Sequence, residues 1–395
     1  FGSFHANKLG SNPQKLIQQG FEENIDVYSV FTKTYEIFNS IPQIVERRTS
    51  EGWEIEENTT IHDLWANPNA EKGYTWNDIN TQRMIYLLCT GSSYMVGDGL
   101  GSRWDEVDVL PSQSVTITTG QDFFMPNPKY QFQLGQQTRN FDKDDLQQIK
   151  LFNPAYASVQ ESQYGLSVIQ VAARAVKTGN DKWDAQASLF QNRGAIGFVT
   201  GSNPPAGGRP MDAKEAEMVQ EAFDMRQAGS KNFGRTLVTN KDMKFQQMAM
   251  SSTDLELVKN GEITLRAICN TMGYDSSLFN DPANKTYNNR LEAEKAMYTN
   301  VMMPLAEMFD AQDTRFIAWN HYPERNRRIR HDFSKIEALQ KDKKAEAEKD
   351  KIRMDGINTV LNMPISSEGK RSLLVSDYEM TEEQALIIIP NEQAL

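Results

Sequence analysis

The sequence contains few of the residues on which metal and redox chemistry depend. Only two cysteines, Cys89 and Cys269, and four histidines occur in 395 residues. The histidines show no metal-ligand spacing with cysteines or carboxylates. Both cysteines lie in apolar helical patterns, where buried free thiols are expected rather than a disulfide. We therefore expect no metal site, no disulfide and a reducing compartment.

Long apolar runs are also absent. No run approaches the roughly 18 residues that a membrane span requires, and the first residues lack the basic and then apolar pattern of a signal peptide. Because the chain begins at Phe1 rather than at Met, we expect a trimmed or processed form. The composition, 39% hydrophobic and 24% charged, is ordinary for a soluble protein with more than one structural unit.

Catalytic motifs are missing as well. There is no Walker A lysine loop, so ATP hydrolysis cannot be assigned to this chain. The glycine-rich residues 97–101 lack a third glycine at the spacing of a dinucleotide loop and are not followed by a helix, so a hairpin turn or surface loop is favoured. Two acidic clusters, residues 105–108 and 142–145, lack the spacing of a calcium loop and are expected to be solvated turns. No catalytic residue and no cofactor is assigned.

The charge balance is acidic. The sequence has 42 lysines and arginines against 53 aspartates and glutamates, a net charge of −11. Tight, indiscriminate binding to nucleic acid normally requires many Lys and Arg contacts to phosphate, so this balance argues against it.

The most informative segment is residues 251–310. Leu265, Ile268, Cys269 and Met272 follow the helical period and predict an amphipathic helix that ends near Gly273. A second periodic run contains Pro304 in its interior, which predicts a kink near residues 300–303. The residues between the two helices are polar and turn-forming, with Lys285 as the only basic side chain. The pattern predicts a helix, an exposed loop and a kinked helix.

The remaining patterns predict a predominantly helical α+β protein. Alternation predicts strands at residues 114–118 and 130–134, and a helical run over 166–192 should be broken or thinned at Gly179. Residues 195–248 predict a small α/β insertion with strands at 195–200, 235–238 and 243–247 and a helix at 212–227. Residues 332–370 predict charged helices with breaks at Gly356, Pro364 and Gly369.

This order of elements resembles the portal proteins of tailed bacteriophages, specifically the compact portal family of long-tailed phages. In that family a stem helix, a tunnel loop and a kinked helix follow one another, as residues 253–272, 274–289 and 290–319 do here. Shorter matches occur in the same order at Ser40-Ile41-Pro42, Leu64-Trp65-Ala66-Asn67-Pro68-Asn69, Gly91, Leu110-Pro111 and Gly165-Leu166-Ser167. The order of these matches carries the resemblance, because each alone is degenerate.

The resemblance implies the portal fold, assembled as a ring. Its parts would be a wing (1–165), two stem helices (166–194 and 251–273), a clip (195–250), a tunnel loop (274–289), a kinked wing helix (290–322) and a crown (323–395). The ring would be a homo-oligomer, most simply a dodecamer.

The resemblance also implies three sets of functional residues. The tunnel loop would place Asn280, Asn284, Lys285, Thr286, Tyr287 and Asn288 in a DNA channel. The clip would dock partners through Asn203, Pro204, Pro205 and Arg209. A basic crown entrance would consist of Arg325, Arg327, Arg328 and Arg330. The alternatives are a solvated Lys285 and, for the arginines, salt bridges between subunits to acids such as Glu324 and Asp332.

The function implied is a channel at one capsid vertex for DNA packaging and genome ejection. Its partners would be double-stranded DNA, the terminase, the head–tail adaptor and the major capsid protein, with no membrane. The protein would be located in the virion after assembly in the host cytoplasm. Two alternatives remain open from the sequence: an α+β nucleic-acid-processing enzyme, or another virion ring such as an adaptor.

Overall fold

The structure is a computed structural model. It describes residues 12–99, 103–191, 197–201, 243–247, 261–279, 287–377 and 381–389, with isolated positions between 212 and 221. The chain divides into two compact units, residues 1–331 and 332–395. The first unit combines helices with small sheets, and the second is helical in its described part.

Helices are distributed along the chain, whereas six consecutive strands lie between residues 92 and 150. The α-helices of the described residues are α1 (Pro13–Lys15), α2 (Ile25–Ser40), α3 (Thr60–Ala66), α4 (Trp76–Thr90), α5 (Val168–Val171), α6 (Ala173–Gln191), α7 (Gly261–Met272), α8 (Tyr287–Met297), α9 (Met303–Asp313), α10 (Trp319–His321), α11 (Glu337–Asn362), α12 (Ser367–Asp377) and α13 (Glu382–Ile388). The strands are β1 (Gln43–Arg48), β2 (Trp53–Ile55), β3 (Ser92–Asp98), β4 (Glu106–Leu110), β5 (Val115–Thr118), β6 (Lys129–Leu134), β7 (Gln137–Asp142), β8 (Leu146–Lys150), β9 (Gly197–Gly201), β10 (Met243–Gln247) and β11 (Arg327–His331). This mixture confirms the predominantly helical α+β class.

Every strand pair in the described residues is antiparallel. The sheet orders are β11-β1-β2, β4-β3-β8 and β5-β6-β7, and β9 pairs with β10. Strand β5 alternates between buried and exposed positions, as its sequence predicted. Asp98 lies opposite Glu106 in the β3–β4 pair. Residues 97–99 therefore lie where β3 ends before β4, as the predicted hairpin requires, and residues 100–101 lie outside the described residues.

Two apolar clusters form the core of the first unit. One joins a face of the β11-β1-β2 sheet to α3, α4 and the helical residues 316–318. It includes Val45, Ile61, Leu64, Ile79, Met95, Ile317 and Ile329. The other lies between the two remaining three-stranded sheets and includes Tyr94, Val96, Leu110, Ile117, Tyr130, Phe141 and Leu146. Cys89 and Cys269 are free and buried, as expected, and burial raises the pKa of the Cys89 thiol.

Helix α4 has sequence-encoded ends. Thr75 and Asp78 form a capping box at its start, and Gly91 ends it with a left-handed φ of 82°. A Cβ on Gly91 would lie 2.5 Å from the carbonyl carbon of Gly165. Glycine is therefore required here both for the turn and for the close approach of the two backbones.

Helix α6 continues through Gly179, so the predicted break at that residue is wrong. A Cβ on Gly179 would lie 3.0 Å from the Asn24 side-chain nitrogen. That nitrogen donates hydrogen bonds to the Val176 carbonyl at 3.2 Å and to Asn180 Oδ1 at 2.7 Å. The glycine provides room for the N-terminus of α2 rather than a helix end, since one glycine costs a helix only about 1 kcal/mol.

The second unit packs α11, α12 and α13 around Ile357, Val360, Leu374 and Ala385. Of its three predicted breaks only Pro364 lies between helices, whereas Gly356 and Gly369 lie inside α11 and α12. The difference is physical, because proline removes a donor and clashes with the preceding turn while glycine does neither. The unit begins at Asp332, directly after β11, which pairs with β1 of the first unit.

Candidate channel and docking elements

A long helical run follows residue 286 and contains two π-helical turns. Helix α8 leads into a π turn at Tyr298–Met302, α9 follows, and a second π turn at Thr314–Ala318 leads into α10. Pro304 lies in the first turn of α9, where it needs no helical hydrogen bond of its own. The irregularity predicted near residues 300–303 is therefore this π turn, which accommodates the proline.

Helix α9 is anchored to the sheets by a buried ion pair. Arg83 of α4 donates to Asp313 at 2.5 and 3.2 Å, and both side chains are fully buried. Asn80 accepts from Arg83 at 2.9 Å, while Gln147 of β8 accepts from Arg83 at 3.1 Å and donates to Asp313 at 3.0 Å. The guanidinium also lies over the Phe309 ring, 4.7 Å from its centre. These contacts join α4, β8 and α9.

A second carboxylate, one turn earlier on α9, binds β11. Asp310 accepts from the backbone N–H of His331 at 2.9 Å and contacts its Nδ1 at 2.6 Å. Burial raises the pKa of Asp310. The hydrogen bonds from His331 act in the opposite direction but are the smaller effect. The His331 ring packs on Phe38, with ring centres 4.5 Å apart. The sequence reasoning missed both carboxylates, although their i, i+3 spacing on the apolar face of a periodic helix was a usable signal.

Helices α6 and α7, which correspond to the two predicted stem helices, pack against each other and α7 also packs against α2. Ile268 and Cys269 of the predicted apolar stripe are buried. Gly273 has φ 79° and ends α7, which confirms the predicted helix end. Residues 251–260 lie outside the described part of the chain.

The predicted tunnel-loop residues fall into two groups. Asn280, Asn284, Lys285 and Thr286 lie outside the described residues. Tyr287 and Asn288 belong to α8, so their prediction as loop residues is wrong. Asparagine suits the first helical turn as well as a loop, because the N–H groups there have no helical partner. The described flanks are a 3₁₀ turn at Ser276–Phe279 and helix α8.

The predicted clip residues Asn203, Pro204, Pro205 and Arg209 also lie outside the described residues. Two of the strands predicted for this region are present as β9 and β10, which pair with each other. Described positions between 213 and 221 are helical, within the predicted helix. The strand predicted at residues 235–238 lies outside the described residues.

The arginine set is largely neutralised inside the chain. Arg327 binds Glu56 through two hydrogen bonds of 2.6 and 3.0 Å. These bonds hold the pKa of Glu56 below its ordinary value and raise that of Arg327. Arg328 and Arg330 share the carboxylate of Glu46, at 2.6 and 3.0 Å.

These partners differ from the acids that the sequence reasoning named, Glu324 and Asp332. The reason is the antiparallel register, which places Glu46 of β1 opposite Arg328 of β11. Arg325 instead lies over the Trp319 ring, 5.0 Å from its centre.

The described residues contain no group of three or more His, Cys, Asp or Glu side chains that could hold a metal ion. None of the helices in this part of the chain is long and apolar enough to span a bilayer.

The fold has solved counterparts. The neck of an empty gene transfer agent particle, computed with C6 symmetry, contains a chain 22% identical that matches with a TM-score of 0.63 over 92% of this chain and 93% of that one. The neck of the native particle, computed with C12 symmetry, gives 21% identity and a TM-score of 0.59 over the same shares. An HK97-family phage portal protein from Corynebacterium diphtheriae is 10% identical, with a TM-score of 0.55 over 82% of this chain and 96% of that one.

Sequence comparisons agree with the fold. Uncharacterised proteins of Rickettsia felis and Rickettsia bellii are 22% and 23% identical, each over 76% of this chain and 77% of the relative. The family model of phage portal proteins matches residues 28–360. This family is a structural component of the virion, so the enzymatic alternative is wrong. The chain belongs to the phage portal protein family.

Proposed function

We propose that this chain forms a ring at one capsid vertex, through which double-stranded DNA enters during packaging and leaves at infection. The observation that carries the proposal is the family match over residues 28–360, which spans most of the first compact unit and the beginning of the second. The necks with a similar fold were computed with C6 and C12 symmetry, which supports a closed ring of identical copies. We take twelve as the number of copies.

The channel function rests on residues 274–289 and on the net charge. Asn280, Asn284, Lys285 and Thr286 offer donors to phosphate without a dense positive charge. A chain with a net charge of −11 repels a polyanion overall, so DNA would slide without deep binding minima.

The docking function rests on two other regions. Residues 195–250 would receive the terminase during packaging and the head–tail adaptor afterwards, with Asn203, Pro204, Pro205 and Arg209 at the contact. The wing would contact the major capsid protein. Arg328 and Arg330 share one carboxylate and remain 39% and 48% exposed, so part of their positive charge stays available to DNA or to an acidic neighbour. The protein would be assembled in the host cytoplasm and reside in the virion.

Negative-stain microscopy and native mass spectrometry of the purified chain test the ring. We expect closed rings with a central hole and a mass of about twelve chains. Monomers or dimers alone, at every protein and salt concentration, would contradict the proposal. A second experiment removes the gene for this chain from the virus that encodes it and compares the packaged DNA per particle with that of the parent.

A further inference from the structure

The loop between β5 and β6 exposes three consecutive large apolar side chains. Phe123, Phe124 and Met125, which we call the knob, are 54%, 90% and 70% exposed. Contiguous exposed apolar surface of this kind is typical of a protein contact site. Phenylalanine and methionine are also enriched in the centres of protein interfaces.

Hydrogen bonds within the loop and one aromatic contact outside it support the knob. The Gly120 N–H donates to the Pro126 carbonyl at 2.8 Å and closes the loop. The Asp122 carboxylate accepts from the Phe124 N–H at 2.9 Å. The Phe123 ring stacks on Tyr156, with centres 6.3 Å apart and planes at 18°. Such preorganisation reduces the conformational entropy lost on binding.

A groove of about 850 Å³ lies at the β6–β7 hairpin, where it is lined also by α4 and β4. Tyr86, Leu110, Phe132 and Leu134 supply apolar and aromatic walls, and Leu134 is 52% exposed. The volume is ample for the side chains of the knob, since drug-sized ligands occupy pockets of this size.

The strand order separates the knob from the groove. In an antiparallel sheet, successive connections lie at opposite ends of the shared strand. The knob precedes β6, whereas the groove includes Leu134 at the end of β6 and Gln137 at the start of β7. Strand β6 spans about 20 Å at about 3.4 Å per residue. A knob and a groove at opposite ends of one sheet suit a head-to-tail contact between copies.

The charges at the two ends are complementary. The knob carries one adjacent charge, Asp122. At the groove, Lys72 is paired with Asp108 at 2.6 Å, while Arg139 lies over the Phe141 ring. In the described part of the chain no carboxylate pairs with Arg139. The groove therefore presents one positive charge to a knob that brings one negative charge.

We propose that the knob of each copy seats in the groove of the next copy, with Asp122 facing Arg139. The inference rests on the proposed ring and adds detail to it. A head-to-tail contact that is repeated around a rotation axis closes into a ring of identical copies. Three such side chains bury on the order of 300 Å². That is less than the roughly 1,000 Å² of a stable interface, so this contact is one part of a larger one.

A mixing experiment with two surface variants tests the contact. Phe124→Ser disables the knob but leaves the groove, and Leu134→Arg disables the groove but leaves the knob. Each alone should raise the concentration needed for ring assembly more than tenfold, the effect of a hot-spot residue. Mixed together they retain one intact contact per pair, so they should recover pairwise association without closed rings. Ile55→Ser, which removes an apolar side chain 60% exposed on β2, is the matched control.

A charge exchange gives an independent arm. Asp122→Arg and Arg139→Asp should each weaken assembly, and the double variant should restore it. Circular dichroism and thermal unfolding of every variant check that the fold is retained, as expected for exposed positions.

The outcomes separate this inference from the proposed function. A parent chain that never forms rings refutes the proposed function itself. A parent that forms rings, with both variants assembling at the same concentration, refutes the knob-and-groove contact alone. Intact rings combined with loss of binding to the capsid shell would assign the knob to another virion protein and would likewise overturn the proposal.

Discussion

Asp313 and Arg83 lie 230 residues apart in the sequence and form an ion pair in which both side chains are fully buried. The pair joins the helical run that follows the predicted tunnel loop to helix α4. A buried charge left without its partner is far more costly than a broken surface pair. This relationship therefore makes the attachment of α9 sensitive to single substitutions.

Arg83→Met should lower the free energy of unfolding of the first unit by about 3–5 kcal/mol, because Asp313 would remain buried without its partner. Chemical denaturation of the parent and the variant measures the difference. Lys72→Ala, which breaks an exposed ion pair, is the control and should cost about 0–1 kcal/mol. The double variant Arg83→Met with Asp313→Leu should lose less than the sum of the two single changes. Additive losses would show that the two residues are not coupled.

The Glu56–Arg327 pair predicts a dependence of stability on pH. Hydrogen bonds from Arg327 hold the pKa of Glu56 below its ordinary 4.5. Its contribution to stability is therefore present above that value and is lost as the pH falls through the lowered pKa. The stability difference between the parent and Glu56→Gln should shrink between pH 7 and about pH 3, as followed by denaturation at each pH. Glu57→Gln, an exposed neighbour, serves as control, and a difference that grows on acidification would contradict the assignment.

Two glycines with left-handed backbones allow the cost of backbone strain to be measured separately from the cost of crowding by a new Cβ. Gly135 has φ 59° with no atom near its missing Cβ, whereas Gly91 has φ 82° and backbone atoms 2.5 Å away. Gly135→Ala should cost about 1–2 kcal/mol of unfolding free energy. Gly91→Ala should cost a further ~1–3 kcal/mol, because a backbone cannot give way as a side chain can. Equal shifts in melting temperature would mean that crowding at Gly91 is relieved elsewhere.

Lys285 tests the proposed channel. Lys285→Ala should leave the stability of the chain within about 0.5 kcal/mol and ring assembly unchanged, while altering the packaging rate or genome retention. Lys285→Glu should have a larger effect that high salt attenuates, because it adds repulsion beside DNA. Lys143→Glu makes the same charge change at an exposed turn between β7 and β8 and should package normally. Parental packaging by both Lys285 variants, in rings confirmed by microscopy, would remove this residue from the DNA path.

Residues 203–209 test the proposed docking end. Their deletion should leave ring formation intact and weaken binding of the terminase or the adaptor, because surface loops tolerate shortening while carrying contacts. Pull-down of each partner by parental and shortened rings measures the effect. Unchanged capture of both partners would mean that this segment only connects its neighbours.

Local patterns predicted much of the fold. Alternation located β5 and β6, the helical stripe located α7, and Gly273 marked its end. Each of these signals is short-range, since backbone geometry and one-sided burial act within a few residues. The same reasoning failed at Gly179 and Gly356, because packing compensates for the low helix propensity of glycine.

The candidate site depended more on contacts than on pattern. The arginines of β11 were recognised as a basic set, but their partners Glu46 and Glu56 lie more than 270 residues away. No local signal specifies such a register, which is set when the buried faces of β1 and β11 meet.

The sequence by itself determined the fold class, the succession of helices α7, α8 and α9, and the family resemblance. These follow from periodicity and from residues whose backbone preferences are intrinsic. Only the tertiary structure decided that Asp310 and Asp313 fasten α9, that Tyr287 begins a helix, and that the knob and the groove lie at opposite ends of one sheet. Such features depend on which distant segments pack together, and that choice is made by the burial of the whole core rather than by any one segment.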